Sequence, residues 1–203
     1  RPLLTAHEDE LAQLEEIHSG FPEVMQAEME KMWSAKLGLE AFDVELFREL
    51  MMLMTQTPVD YTVFFRELSS IPDDIAPIKK SFYRSLNQAG GADSDSLLKR
   101  WSDWLAQWKS KTGLDRAGDG SRLREERSRS MKRVNPKYTM REWFVVPAYQ
   151  RAADGDYQPL RALQDVLTQP YAKQSNAVEA HYYRLKPSEL FNLGGFSHYS
   201  CSS

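Results

Sequence analysis

Cys201, two residues from the chain end, is the single cysteine of the sequence. The thiolate is the nucleophilic and redox-active form, and an unperturbed thiol of pKa about 8.5 is mostly protonated at neutral pH. His198, three residues upstream, would raise the ionised fraction if it sat close and carried charge. A plain exposed thiol without a role fits the same spacing, and spacing alone does not choose between the two. His198 and Cys201 also have the separation of two metal ligands, but a zinc site needs about four and there is no second cysteine. His7, His18 and His181 are scattered elsewhere.

Two further stretches have residue types suited to chemistry. Between Ser121 and Arg133 lie six basic residues, Arg122, Arg124, Arg127, Arg129, Lys132 and Arg133, with Glu125 and Glu126 among them. Such a run can grip phosphates or dock on an acidic face. A solvated helix face with internal i,i+3 and i,i+4 pairs accounts for it better. Leu97, Trp101, Trp104, Leu105 and Trp108 fall at i, i+4, i+7, i+8 and i+11, one stripe of a helix. Three tryptophans on one face can stack bases, but no basic residue interleaves with them there, so packing is expected. There is no glycine-rich phosphate loop, no His-Arg-Asp or Asp-Phe-Gly signature and no nucleophile elbow. No residue of this chain is therefore assigned to catalysis, to cofactor binding or to a metal.

Composition sets the frame for these residues. The 203 residues are 41% hydrophobic and 11% aromatic, enough for a buried core. A net charge of −3 gives no reason to expect nucleic acid, and no apolar run approaches the roughly 18 residues of a membrane span. One cysteine excludes a disulfide scaffold. Arg1-Pro2-Leu3-Leu4-Thr5 is neither a signal nor a transit peptide and lacks a start methionine, so the chain is expected to be part of a longer protein.

Apolar spacing predicts mostly helices. Leu11, Leu14 and Ile17 mark a helix over Glu8 to His18, which Gly20 ends; Pro22 then starts another, running to Leu37 with Met25, Met29, Met32 and Trp33 inward and Gly38 as its stop. Asp43 caps a central helix from Val44 to Thr55, and Asp60 caps Tyr61 to Leu68. A helix is expected around Ile78 to Leu86, then a Gly90-Gly91 loop. Asp93 or Ser94 caps the tryptophan helix. Pro136 or Lys137 opens a helix over Tyr138 to Asp154 with Trp143, Phe144 and Ala148 inward, and Gly155 ends it. Leu160, Leu163 and Leu167 line a helix from Gln158, stopped by Gln169-Pro170. Beyond Tyr171 the pattern fades into an irregular tail. The fold class is all-α: an irregular domain of about seven to nine helices with an extended C-terminal tail. Its parts are a helical bundle (1–112), a linker or loop (113–120), a helical segment packing on the bundle (121–171) and the tail (172–203), expected together to form one structural domain of a longer protein.

Four stretches in order carry a resemblance. Val59-Asp60-Tyr61-Thr62-Val63-Phe64-Phe65-Arg66 is similar to the "DYT-FFR" run of the selenoprotein-O family, and Val134-Asn135-Pro136-Lys137-Tyr138 with Arg141 resembles its "NPKY…R" segment. Gly155-Asp156-Tyr157 with Gln169-Pro170-Tyr171 resembles "GDY…NPY", and the terminal Ser200-Cys201-Ser202-Ser203 resembles "SCSS". Ala35-Lys36-Leu37-Gly38-Leu39 fits more loosely. Glu142, Ala172, Lys173 and Pro147 depart from the pattern. The resemblance marks Asp60, Tyr61, Asn135, Pro136, Arg141, Asp156 and Tyr157 as motif residues of unassigned role. It implies the C-terminal portion of a kinase-like fold, in the cysteine-containing form of the family, whose full-length pseudokinase members transfer AMP from ATP, with Mg²⁺ or Mn²⁺, to Ser, Thr or Tyr of protein substrates. ATP and metal would then bind a kinase-like domain in cis, and the present chain alone would be inactive. The resemblance also implies that Cys201 is a redox thiol paired with a cysteine of that domain. It suggests a mitochondrial location in eukaryotes or a cytoplasmic one in bacteria, with neither nucleic acid nor membrane as partner. The alternative is a free-standing helical interaction module.

Overall fold

Aspartates start two of the central helices. Asp43 Oδ1 accepts from the Leu46 N–H at 2.9 Å, and Asp60 Oδ1 from the Val63 N–H at 3.0 Å, each satisfying a donor that the first helical turn leaves open. The computed structural model describes residues 8–83, 92–115 and 120–191. Over these, eight α-helices follow in order: α1 (Glu8–Leu37), α2 (Val44–Gln56), α3 (Tyr61–Leu68), α4 (Ala92–Lys111), α5 (Gly120–Val134), α6 (Glu142–Ala153), α7 (Gln158–Thr168) and α8 (Asn176–Tyr182). Short 3-10 turns lie at Ile78–Ser81 and Ser188–Leu190. Among the described residues the only extended pairing is an isolated antiparallel bridge between Val59 and Phe82. The fold is all-α, and among the described residues no helix is long and apolar enough to cross a membrane.

The core forms where the apolar stripes meet. Leu46, Leu50 and Leu53 of α2, Phe64, Phe65 and Leu68 of α3, the tryptophan stripe of α4 and Met131 of α5 make one cluster. Each indole of the stripe also ends on an acceptor: Trp101 Nε1 donates to Thr57 Oγ1 at 3.0 Å, Trp104 Nε1 to Leu46 O at 3.0 Å and Trp108 Nε1 to Leu37 O at 2.7 Å. The stripe is thus a packing device in which each ring buries its apolar body and keeps its polar handle satisfied. A second cluster, Trp143, Phe144 and Leu163, joins α6 to α7. The basic run of α5 is divided. Arg122 pairs with Glu126 and Arg129 with Glu125 at i,i+4. Arg124 reaches Asp73 and Ile71 O, and Arg127 reaches Thr112 O.

Several boundaries differ from those the sequence predicts. Gly20 and Pro22 do not divide α1, which runs unbroken for 30 residues. A proline removes one donor and crowds one carbonyl, and along this exposed stretch no neighbour exploits the weak point. Met25, Met29 and Met32 face solvent, with only Trp33 of the expected inward set half-buried, because α1 meets the body through its last turns alone. Gly38 does stop it, at φ +65°, where a Cβ would come within 2.7 Å of Met131 Sδ. Over its described part, residues 78–83, the helix expected at Ile78 to Leu86 is one 3-10 turn, because Asp60 N donates to Ser81 O and Tyr83 N to Pro58 O, drawing the backbone into the bridge; residues 84–86 lie outside the described residues. α4 begins at Ala92, so Ser94 lies inside the helix rather than capping it. The helix after Pro136 begins only at Glu142; residues 135–141 are held out of the helix by the contacts described below. The stretch after Tyr171 contains α8, capped by Ser175 Oγ accepting from the Val178 N–H. Gly90, Gly91, part of the 113–120 linker, His198 and Cys201 lie outside the described residues.

Candidate functional site: a buried polar junction

The motif residues converge along α3. This helix is only eight residues long, too short to persist by itself, and the 135–141 segment runs alongside it in the opposite direction. At its start, Arg141 Nη2 donates to Asp60 Oδ1 at 2.8 Å, Arg141 Nη1 donates to Asp60 Oδ2, and the Tyr83 hydroxyl donates to the same Oδ2 at 3.1 Å. Half-way along, Thr62 Oγ1 and Thr139 Oγ1 lie 3.4 Å apart. At its end, Arg66 Nη1 donates to Lys132 O and to Asn135 O, both at 3.0 Å. Those carbonyls belong to the end of α5, where a cation satisfies acceptors the helix leaves unpaired. Arg66 Nη2 reaches Tyr171 O at 3.0 Å, and the N–H groups of Lys137 and Tyr138 donate to Pro170 O at 2.7 and 3.1 Å.

Asn135 is fully buried and uses both ends of its amide. Nδ2 donates to Lys36 O at 2.8 Å and to Ser69 Oγ at 3.0 Å, while Oδ1 accepts from Lys36 Nζ at 2.9 Å. It therefore ties α1 to the ends of α3 and α5. Lys36 Nζ also lies 4.7 Å from the Phe65 ring centre and 5.2 Å from that of Tyr61. Burial among these groups pulls its pKa from 10.5 down to about 8. Tyr61, in turn, packs tilted against Phe65, ring centres 4.6 Å apart, and edge-on to Trp33 at 6.1 Å. Burial opposes the charge of Arg141, but the Asp60 carboxylate outweighs it and holds the guanidinium protonated.

Three of the four motif stretches thus meet at one place. Asp60, Tyr61, Asn135, Arg141 and the backbone of Pro170 and Tyr171 share the junction, with Pro136 between two of its contacts. Asp156 and Tyr157 do not. Asp156 closes the α6–α7 turn, with Oδ2 bonded to Arg151 Nε at 3.0 Å and Oδ1 accepting from the Gln158 N–H at 3.1 Å, and Tyr157 is exposed. Arg66, Tyr83, Lys36 and Ser69 complete the junction although none was marked as a site residue. Arg66 and Lys36 had a signal, since each lies in a stretch that resembles the family; Tyr83 and Ser69 had none. Every oxygen of Asp60 is already engaged, so the pair acts as a clamp and not as an acid or base. A separate cavity of about 300 Å³ opens between α6, α7 and α8. It is walled by Trp143, Phe144, Leu163 and Tyr182, with the Arg184 guanidinium 4.7 Å from the Trp143 ring centre. Among the described residues no three of His, Cys, Asp or Glu gather as a metal site.

Comparison with known proteins agrees with the motif reading. Residues 3–168 match the family described as "Protein adenylyltransferase SelO". The "Protein nucleotidyltransferase YdiU" of Aromatoleum aromaticum is 33% identical over 93% of this chain and 35% of its own length. That of Tolumonas auensis is 32% identical over 90% of this chain and 34% of its own. That of Methylobacillus flagellatus is 33% identical over 84% and 32%. The chain therefore spans about a third of the length of these relatives. With its motifs meeting at one junction and its sequence matched from residue 3 to residue 168, this chain belongs to the protein adenylyltransferase SelO family.

Proposed function

We propose that this chain is the helical C-terminal part of a longer protein nucleotidyltransferase that moves AMP from ATP to Ser, Thr or Tyr hydroxyls of other proteins. ATP and Mg²⁺ or Mn²⁺ would sit in a kinase-like part of the polypeptide, which in this reading retains transferase activity despite its pseudokinase character. Nucleotidyl transfer needs groups that hold phosphates and neutralise developing charge, and the motif residues of this chain serve another purpose. The observation that carries the reading is the junction itself: Asp60, Asn135 and Arg141 spend their polar atoms fastening helices together. Their role is to hold a rigid helical buttress. Cys201 adds a redox control in this reading, forming a disulfide with a cysteine of the kinase-like part. Two thiols lose two protons and two electrons to a disulfide or peroxide oxidant.

Labelled ATP with Mn²⁺ tests the proposal. The longer polypeptide should label itself or a substrate protein, whereas the 203 residues alone should stay at the level of a heat-killed sample. Labelling by the isolated chain would overturn the division of labour. Cys201→Ser should abolish any difference between oxidised and reduced samples of the longer polypeptide. An unchanged difference would remove the redox role.

A further inference from the structure

Helix α1 has two apolar faces that point different ways. At about 100° per residue, Trp33, Ser34 and Leu37 share the face that meets the body, where Trp33 packs on Phe47 and Phe65 and Leu37 is fully buried. Ile17, Phe21, Val24, Met25, Met29 and Met32 fall on another face, turned well away from the first. All six are exposed, Ile17 at 70% and Val24 at 63%. The stripe runs over about four turns, with one charged residue, Glu28, set within it and paired with Lys31 at 3.5 Å. Burying such side chains is favourable, so a face like this in water marks an interaction surface.

Charge and length indicate what covers it. α1 carries eight Asp and Glu residues against two lysines, Lys31 and Lys36. A second copy lying along the stripe would bring two acidic helices together, which costs energy. A groove rimmed by lysine and arginine would be attracted, and flexible methionines suit an irregular apolar floor. The relatives extend over about three times the length of this chain, which matches only 35%, 34% and 32% of them. We propose that the Ile17–Met32 face of α1 is the seat of the remaining part of the longer polypeptide, which offers it an apolar groove with a basic rim. This rests on the reading of the chain as part of a longer nucleotidyltransferase and names the surface through which the two parts join.

A photo-crosslinking phenylalanine analogue placed at Met29 of the longer polypeptide tests the seat directly, with the exposed Ser102 of α4 as the control position. Crosslinks from position 29, and none from 102, should map by mass spectrometry to apolar peptides flanked by Lys or Arg outside these 203 residues. Crosslinks to a second copy, to residues 192–203 or to nothing would overturn the proposal. Val24→Glu combined with Met29→Glu should leave the melting temperature of the 203-residue chain unchanged, since both side chains are exposed there. The same pair should lower that of the longer polypeptide. Equal shifts in the two proteins would count against the seat, as would a stable dimer of the 203-residue chain that this pair dissolves. AMP transfer is measured separately on the wild-type longer polypeptide. Crosslinking without transfer would sink the enzymatic reading and leave the docking surface standing; transfer without crosslinking would do the reverse.

Discussion

Asp60→Ala should be among the most damaging single changes in this chain. The Asp60 and Arg141 side chains are 1% and 3% exposed, and the residues lie 81 positions apart in sequence. Removing the carboxylate strands the Arg141 charge in the interior, and breaking a buried pair from one side costs about 3–5 kcal/mol. It also removes the cap on the Val63 N–H, worth about 1 kcal/mol. The sum, about 4–6 kcal/mol, approaches the whole stability of a typical domain, about 5–15 kcal/mol. Asp60→Asn retains an oxygen for the cap and should cost less, about 2–3 kcal/mol, the value of a hydrogen bond to a charged group. Arg141→Met removes the charge that Asp60 serves. In the double variant the two losses should therefore fall short of their sum by about 1–3 kcal/mol, a coupling expected of groups in direct contact. Urea unfolding followed by tryptophan fluorescence measures the wild type and the four variants, and the indoles of Trp104 and Trp143 report the two core clusters. A coupling below about 0.5 kcal/mol would refute the clamp, because independent sites add to within that margin.

Three more outcomes follow from the same contacts. Trp104→Ala should cost about 3–5 kcal/mol, since the ring is buried and its N–H holds Leu46 O; a loss under about 1 kcal/mol in thermal melts would mean the stripe is not a packing device. Lys36 has its pKa lowered to about 8 by burial, so between pH 8 and 10.5 the unfolded chain holds a proton the folded chain has released. Stability should rise with pH across that window, by about 1–2 kcal/mol after allowing for solvent screening, and Lys36→Met should flatten the rise in urea titrations. Gly38→Ala, which combines a φ of +65° with a Cβ 2.7 Å from Met131 Sδ, should cost more than about 1 kcal/mol in the same assay.

Features set by local chemistry were legible along the chain. Asp43 and Asp60 read as caps because a carboxylate before an apolar run has unpaired N–H groups to accept from, and they are caps. The tryptophan stripe of α4 read as core because its spacing is that of a helix face, and it is core. Gly38 and Gly155 read as stops, and both sit at positive φ. The other features depend on contacts between distant parts of the chain. The run Asn135 to Arg141 looks like a helix start from its proline, but Asn135 is held by Lys36 and Ser69, and Arg141 by Asp60, so the run stays non-helical. The methionines of α1 have core spacing, yet spacing says only that a face is apolar, not whether the chain supplies anything to cover it. Tyr83 and Ser69 carry no local sign of their roles. A buried polar network is satisfied by partners that only folding brings together, here across 66 to 99 residues of sequence, and no periodicity along the chain records such a pairing.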